Sequence, residues 1–136
     1  MSGTTGGCLC GAVRYTLKTP PKGVAICHCK HCQKSLGSAF TVNALTAESD
    51  LVFAGEMASY EDMGDSGNKV LRRFCSKCGS AIGGQLAARP GVFILRAGTL
   101  DDTTPLQKAL FQIWTRSKQH WVLFAADIPS FEKEPG

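Results

Sequence analysis

The chain lacks any long hydrophobic run. No stretch of its 136 residues approaches the ~20 uninterrupted apolar residues of a membrane-spanning helix, so no membrane association is expected. It has no internal repeat, no low-complexity tract and no linker long enough to divide two domains, which predicts one domain over residues 1–136. Met1 to Gly7 is small and polar, with neither a basic start nor an apolar core, and does not read as a secretory signal. The expected setting is therefore the reducing cytoplasm. A glycine-rich phosphate loop and a serine-nucleophile motif are both missing. Glu48, Asp50, Glu61 and Asp62 show none of the paired spacing that acid–base work between carboxylates requires.

Charge of one sign is not concentrated either. The formal net charge is +4, but the lysines and arginines are scattered and the figure counts every cysteine as neutral. Seven zinc-bound thiolates with two Zn²⁺ ions would bring the total to about +1. No nucleic-acid partner is expected.

What the chain does have is cysteine in groups: Cys8-x-Cys10, Cys27-x-Cys29-x-x-Cys32 and Cys75-x-x-Cys78. In a reducing compartment such clusters favour metal over disulfides, and an odd count leaves any all-disulfide scheme with one spare thiol. Four thiolates close a tetrahedral zinc site; three leave a coordination position open. Cys75-Ser-Lys-Cys78-Gly79 has the shape of a zinc knuckle, in which the glycine relaxes the turn and backbone N–H groups are free to donate to sulfur. Cys8 and Cys10 would stand ~6.5 Å apart on a flat strand, too far for one ion at ~2.3 Å, so the backbone is predicted to bend there among Gly6, Gly7 and Gly11. The preferred reading of these outer four is one closed zinc site; inert buried cysteines and a redox dithiol are the competing ones. Cys27, Cys29 and Cys32 leave three readings open: a second structural site completed by His28 or His31, a three-ligand zinc with an open position, or metal-free thiols. Three adjacent thiolates repel one another without a cation, and Lys30 and Lys34 favour thiolate character. The two histidines are expected to turn away from the metal.

Secondary structure is predicted to be mainly β. Strands are expected at Ala12–Leu17, Val24–Cys27, Ser38–Leu45, Leu51–Ala54, Ser59–Glu61, Lys69–Phe74, Ser80–Leu86 and Val92–Ala97, the last two turned through Ala88–Gly91. Asp62–Asn68 reads as a turn. Helix is confined to a short turn at Lys30–Leu36 and a second start at Asp101–Thr103; the tail from Pro129 to Gly136 reads as frayed.

Taken together, the segments Gly7-Cys8-Leu9-Cys10-Gly11-Ala12-Val13-Arg14-Tyr15, Cys27-His28-Cys29-x-x-Cys32-Gln33 with Gly37-Ser38-Ala39-Phe40, and Phe74-Cys75-x-x-Cys78-Gly79 resemble the glutathione-dependent formaldehyde-activating enzyme family. Gly98-Thr99-Leu100-Asp101-Asp102, Ser117-Lys118, Trp121 and Asp127-Ile128-Pro129-Ser130-Phe131 extend the resemblance over essentially the whole chain. It implies a fold of the Mss4-like type, shared with centromere protein V: small twisted antiparallel sheets organised around zinc. It also implies structural zinc ligands at Cys8, Cys10, Cys75 and Cys78, and a second, catalytic zinc at Cys27, Cys29 and Cys32. The implied activity is a carbon–sulfur lyase type of reaction, condensing formaldehyde with glutathione to S-hydroxymethylglutathione, with His28 or His31 as candidate proton carriers. The alternative is a non-catalytic zinc module or a carrier of glutathione or metal.

Arg72, Arg73 and Arg96 are candidates for binding the carboxylates of glutathione, but the plainer expectation is solvent-facing strand charges. Trp114 and Trp121 with Phe111 and Phe124 are candidates for a substrate wall, but the plainer expectation is core packing; Ser35 and Ser38 are expected near the inner cysteines as polar contacts.

Overall fold

The fold was analysed in a computed structural model that describes residues 3–21, 23–106 and 108–134. Among the described residues ten strands form two sheets. In chain order they are β1 (Thr4–Gly7), β2 (Arg14–Leu17), β3 (Val24–Cys27), β4 (Thr41–Ala47), β5 (Leu51–Ala54), β6 (Met57–Met63), β7 (Lys69–Cys75), β8 (Ala81–Leu86), β9 (Val92–Arg96) and β10 (Ala109–Ile113). One helix of seven residues, α1 (Lys30–Leu36), follows β3 and stops at Gly37, whose left-handed backbone (φ 61°) suits a residue without a Cβ. The smaller sheet has the order β1-β2-β5. The larger runs β10-β3-β4-β9-β8-β7-β6, with β10 and β3 parallel and its other neighbours antiparallel. Among the described residues no helix is long and apolar enough to cross a membrane.

The period-two alternation of strands gives the larger sheet two different faces. On β9, Phe93 and Leu95 point one way; with Ala44 of β4 and Ile82 of β8 they meet Val13, Tyr15 and Leu17 from the smaller sheet in a closed core. Each of the larger side chains buried there contributes roughly 1.5–3 kcal/mol. Phe53 stacks edgewise between Tyr15 and Phe93, with ring centroids 5.8 and 5.3 Å away. The opposite face carries Val92, Ile94 and Arg96 from β9, and Asn43 and Leu45 from β4. It opens into a cleft of about 400 Å³.

Most predicted strands are found with their ends shifted by a few residues. Two were missed: β1 and β10, whose short segments lack the alternation that marked the others. Asp101–Thr103 starts no helix; the nearest helical turn among the described residues is a 3₁₀ turn at Ala97–Thr99. β6 continues to Met63, so the turn begins later than Asp62. The tail is not frayed through Glu134. Gln112 donates its N–H to Pro129 O at 2.9 Å and accepts from Phe131 N at 3.0 Å, so the segment pairs along the free edge of β10. Met1, Ser2, Pro135 and Gly136, which belong to the expected polar start and frayed end, lie outside the described residues.

Candidate metal centres and the adjoining cleft

The outer cysteines converge from two places 65 residues apart. Cys8 and Cys10 lie on the loop that leaves β1, where Gly11 (φ 83°) turns the chain back and Cys8 N donates to Val13 O at 3.0 Å. That is the predicted bend. Cys75 ends β7, and Cys78 follows in a tight turn closed by Gly79 N bonding to Cys75 O at 3.0 Å. The sulfurs of Cys8 and Cys10 are 3.6 Å apart, and those of Cys10 and Cys75 are 3.9 Å apart. Four sulfurs at ~2.3 Å around one tetrahedral zinc lie ~3.8 Å from one another, so the donor set fits that ion. The surroundings also prepare thiolates. Val13 N donates to Cys8 Sγ at 3.2 Å, which lowers that thiol's pKa. Lys77 N and Cys78 N donate to Cys75 Sγ at 3.3 and 3.4 Å. Ser80 holds the Cys78 thiol down at about 5 through its side chain and backbone, and its Oγ also accepts from Leu9 N at 3.1 Å, tying the two loops together.

The inner three are brought together by one local device. Cys27 ends β3, Cys29 is the N-cap of α1, and Cys32 lies in that helix's first turn. The Cys29 sulfur accepts from Cys32 N at 3.3 Å, doing the work a serine or aspartate does at other N-caps. All three sulfurs are buried and lie within 4.8 Å of one another. Their charge cannot be shared evenly. Hydrogen bonds from Cys27 and Cys29, helped by the Arg96 and Arg72 charges, hold the Cys32 thiol far below its ordinary range. The other two thiols and burial push Cys27 far above it. Three ionised sulfurs at this spacing require a cation, and the donor set suits a soft divalent ion.

The histidines join neither group. His28 is fully buried on the other side of its strand between Phe40 and Phe124, with centroids 5.8 and 5.7 Å away. Ser130 Oγ donates to Ile128 O and accepts from Gln112 Nε2 (2.9 and 2.8 Å), which turns the Gln112 carbonyl toward His28 Nε2 at 2.8 Å. His28 is thus a neutral ring carrying its proton on Nε2, and burial lowers its pKa. His31 sits between two carboxylates, Nδ1 2.9 Å from Asp62 and Nε2 3.2 Å from Asp65. With Lys30 N donating to Asp65 at 3.2 Å, it fastens the β6–β7 turn to α1.

Two arginines correct the sequence-based expectation. Arg72 and Arg96 are buried strand residues lining the cleft beside the three sulfurs. Asp62 holds Arg72 through Nε at 3.0 Å, and Asn43 accepts from Arg96 Nη1 at 2.6 Å. Arg96 Nε has no acceptor among the described residues. The signal was present but unreadable without register: Asn43 and Arg96 are cross-strand partners, as are Arg72 and Gly84. Arg73 points to the opposite face and reaches Gln85 at 3.3 Å. Trp114 is buried against the inner cysteines as expected; Trp121 is exposed, and Phe111 lines the cleft and is only half-buried. Trp114 also adopts φ 57°, a left-handed backbone that costs a bulky residue energy, while its indole donates to Glu134 at 2.7 Å. Ser35 Oγ bonds to Cys32 O at 3.2 Å; Ser38 is exposed.

Fold and donor sets define a small β protein with one four-thiol and one three-thiol group, the latter opening on a cleft. The chain belongs to the glutathione-dependent formaldehyde-activating enzyme family, whose family model matches residues 3–117. It is 28% identical over 122 residues to a Halomonas elongata protein provisionally named a glutathione-dependent formaldehyde-activating enzyme; the match covers 86% of this chain and 78% of that protein. A crystal structure of a Rhodobacter sphaeroides protein shares the fold, with a TM-score of 0.58 and 24% identity over 74% of this chain and 91% of the other.

Proposed function

We propose that this protein is a zinc-dependent enzyme of the carbon–sulfur lyase type that joins a glutathione-like thiol to an aldehyde, with formaldehyde as the simplest partner. The observation that supports it best is the contrast between the two cysteine groups. The outer sulfurs form a complete tetrahedral set, whereas the inner three form an incomplete one facing a cleft. Cys8, Cys10, Cys75 and Cys78 would hold a structural zinc. Cys27, Cys29 and Cys32 would hold a second zinc, which when bound supplies a Lewis acid able to keep an incoming thiol ionised at neutral pH.

The chain's own residues then have defined tasks. Cys27, Cys29 and Cys32 fix the centre on one rigid strand–helix junction. Arg72 and Arg96 place two positive charges beside it, which offsets the excess negative charge of a fourth sulfur or of the oxygen that develops in the adduct. Asp62 and Asn43 aim those guanidinium groups. Trp114 and Ile113 wall one side and exclude water. The reaction is an addition: the sulfur–carbon bond forms as the carbonyl π bond breaks, and the thiol proton ends on the oxygen. Neither histidine is placed to carry that proton at the cleft. His28 bonds to Gln112 in the core, and His31 is held between Asp62 and Asp65.

Exchange NMR on formaldehyde and glutathione tests the reading directly. The protein is expected to accelerate their interconversion, Cys32→Ser to abolish the acceleration, and Cys29→Ser to lower the zinc content from two per chain to one. No acceleration at any protein concentration, or one zinc unaffected by Cys29→Ser, refutes it.

A further inference from the structure

The cleft is much larger than one-carbon chemistry requires, and its floor has a specific composition. Strand register arranges that floor in cross-strand rows. Nearest the thiols, Ala25, Asn43 and Arg96 lie side by side on β3, β4 and β9. The next row is Leu45, Ile94, Gly84 and Arg72, across β4, β9, β8 and β7. Beyond it lie the pairs Ala47–Val92 and Leu86–Val70. Successive rows are about 6.8 Å apart, two residues along a strand. Arg96 and Arg72 thus lie in the first two rows and Arg89 in the β8–β9 turn at the far end, while Leu45, Val70, Leu86, Val92 and Ile94 make the apolar floor between. Leu45 keeps 47% of its surface exposed there. Gly84 contributes no side chain to the floor, and a Cβ there would stand 2.8 Å from Leu71 O.

A wet apolar floor continuous with a reactive centre calls for an apolar occupant. Formaldehyde supplies one carbon and leaves it bare. A peptidic thiol such as glutathione brings amides and carboxylates along its length, and these five side chains offer them no hydrogen-bond partner. Polar groups that do suit a peptide, Ser66 and Asn68, lie along one side of the cleft. A thiol held there would direct the carbon substituent of its adduct onto the floor.

We propose that the floor is a specificity pocket for an apolar chain, so that the carbonyl partner is an aldehyde carrying an alkyl or aryl group. This rests on the reading that the inner thiols handle thiol–aldehyde adducts. An S-alkyl thioether reproduces the connectivity of such an adduct without reacting. The test is calorimetric titration of the zinc-loaded protein with S-methyl-, S-butyl- and S-hexylglutathione. Full burial of a methylene strengthens binding about fourfold, and a half-covered chain gains about twofold per methylene. The hexyl compound should therefore bind on the order of thirtyfold more tightly than the methyl compound. Leu45→Ser and, independently, Val92→Ser should each cut that ratio to roughly tenfold or less; both sites are incompletely buried, so two chances exist to obtain a folded variant.

A flat series overturns the proposal, and so does a gradient that survives both substitutions, since the chain would then lie elsewhere. The formaldehyde exchange assay reports separately. Acceleration with a flat series leaves the adduct chemistry standing and removes the apolar pocket. A gradient without acceleration keeps the pocket and removes the reaction.

Discussion

Replacing Gln112 with methionine isolates the question of what His28 does. The substitution keeps the volume and removes both amide contacts, so the His28 Nε2–H loses its acceptor at a position with no exposure to solvent. An unpaired buried donor costs about 1–3 kcal/mol. Ser130 loses a donor too, but it is exposed and water replaces the bond at little cost. For a chain of this size the melting temperature should fall roughly 4–12 °C. His28→Phe alone fits the aromatic slot between Phe40 and Phe124 but strands the Gln112 carbonyl. The double variant, His28→Phe with Gln112→Met, removes both buried polar side chains at once, including the His28 Nδ1, which has no partner among the described residues. Paired apolar replacement of that kind is close to neutral. The double-mutant cycle, read by urea melts of the zinc-loaded protein, should therefore give a favourable coupling of at least about 1 kcal/mol. Singles that add to within about 0.4 kcal/mol refute the network as drawn. The folded double variant should also keep its exchange rate with formaldehyde and glutathione. A hundredfold loss of rate with stability preserved would place His28 in the chemistry after all.

Three further outcomes follow from the geometry. Cys75→Ser should remove one zinc per chain by metal analysis and leave the protein unfolded at room temperature, because a structural zinc contributes roughly 10–16 kcal/mol and a whole domain's stability is about 5–15. Arg96→Gln should raise the KM for the thiol about tenfold in the exchange assay, the equivalent of one charge-assisted contact, with both zincs retained; an unchanged KM removes Arg96 from the binding role. Asp62 is buried against its ionisation, but His31 and Arg72 outweigh that and lower its pKa. A depressed carboxylate contributes stability above its unfolded pKa of ~3.9 and loses it as pH falls below that value. Asp62→Asn should accordingly narrow its stability gap to the parent below pH 4, measured by chemical denaturation; a gap constant from pH 7 to 3 counts against the His31–Asp62–Arg72 chain.

The cysteine groups were readable because thiolate spacing is a local property. Cys75-x-x-Cys78 and Cys27-x-Cys29-x-x-Cys32 each fit one turn of backbone, and even the bend at Cys8 and Cys10 follows from strand spacing. Strands such as β3 and β5 were legible for the same reason, their β-branched and aromatic runs being bounded by turn residues. Arg72 and Arg96 were not. A charged residue in a strand points to solvent unless its face is covered, and which face is covered depends on pairings such as Asn43 with Arg96, far apart in sequence. β10 shows the limit most plainly. Its parallel pairing with β3 joins residues 24–27 to 109–113, and its other edge is closed by the tail, so neither neighbour is local in sequence.

That non-local pairing also explains why Trp114 tolerates a left-handed backbone. β10 ends at Ile113, and the chain must turn at once to bring Trp114 against the inner sulfurs while its indole reaches Glu134 in the tail. A glycine would make the turn freely but leave the wall of the cleft open. The strain is tolerated because three separate elements fix the residue: His28 N bonded to Ile113 O at 3.1 Å, Lys133 O bonded to Trp114 N at 3.1 Å, and the packed cysteines. Trp114→Gly should therefore relieve the backbone yet lose more than it gains, since a buried tryptophan removed from a packed wall costs about 3–5 kcal/mol. Thermal melts of the zinc-loaded variant measure the balance. A melting temperature equal to or above the parent's would mean that the indole is not packed as described, and that the left-handed turn dominates at this position.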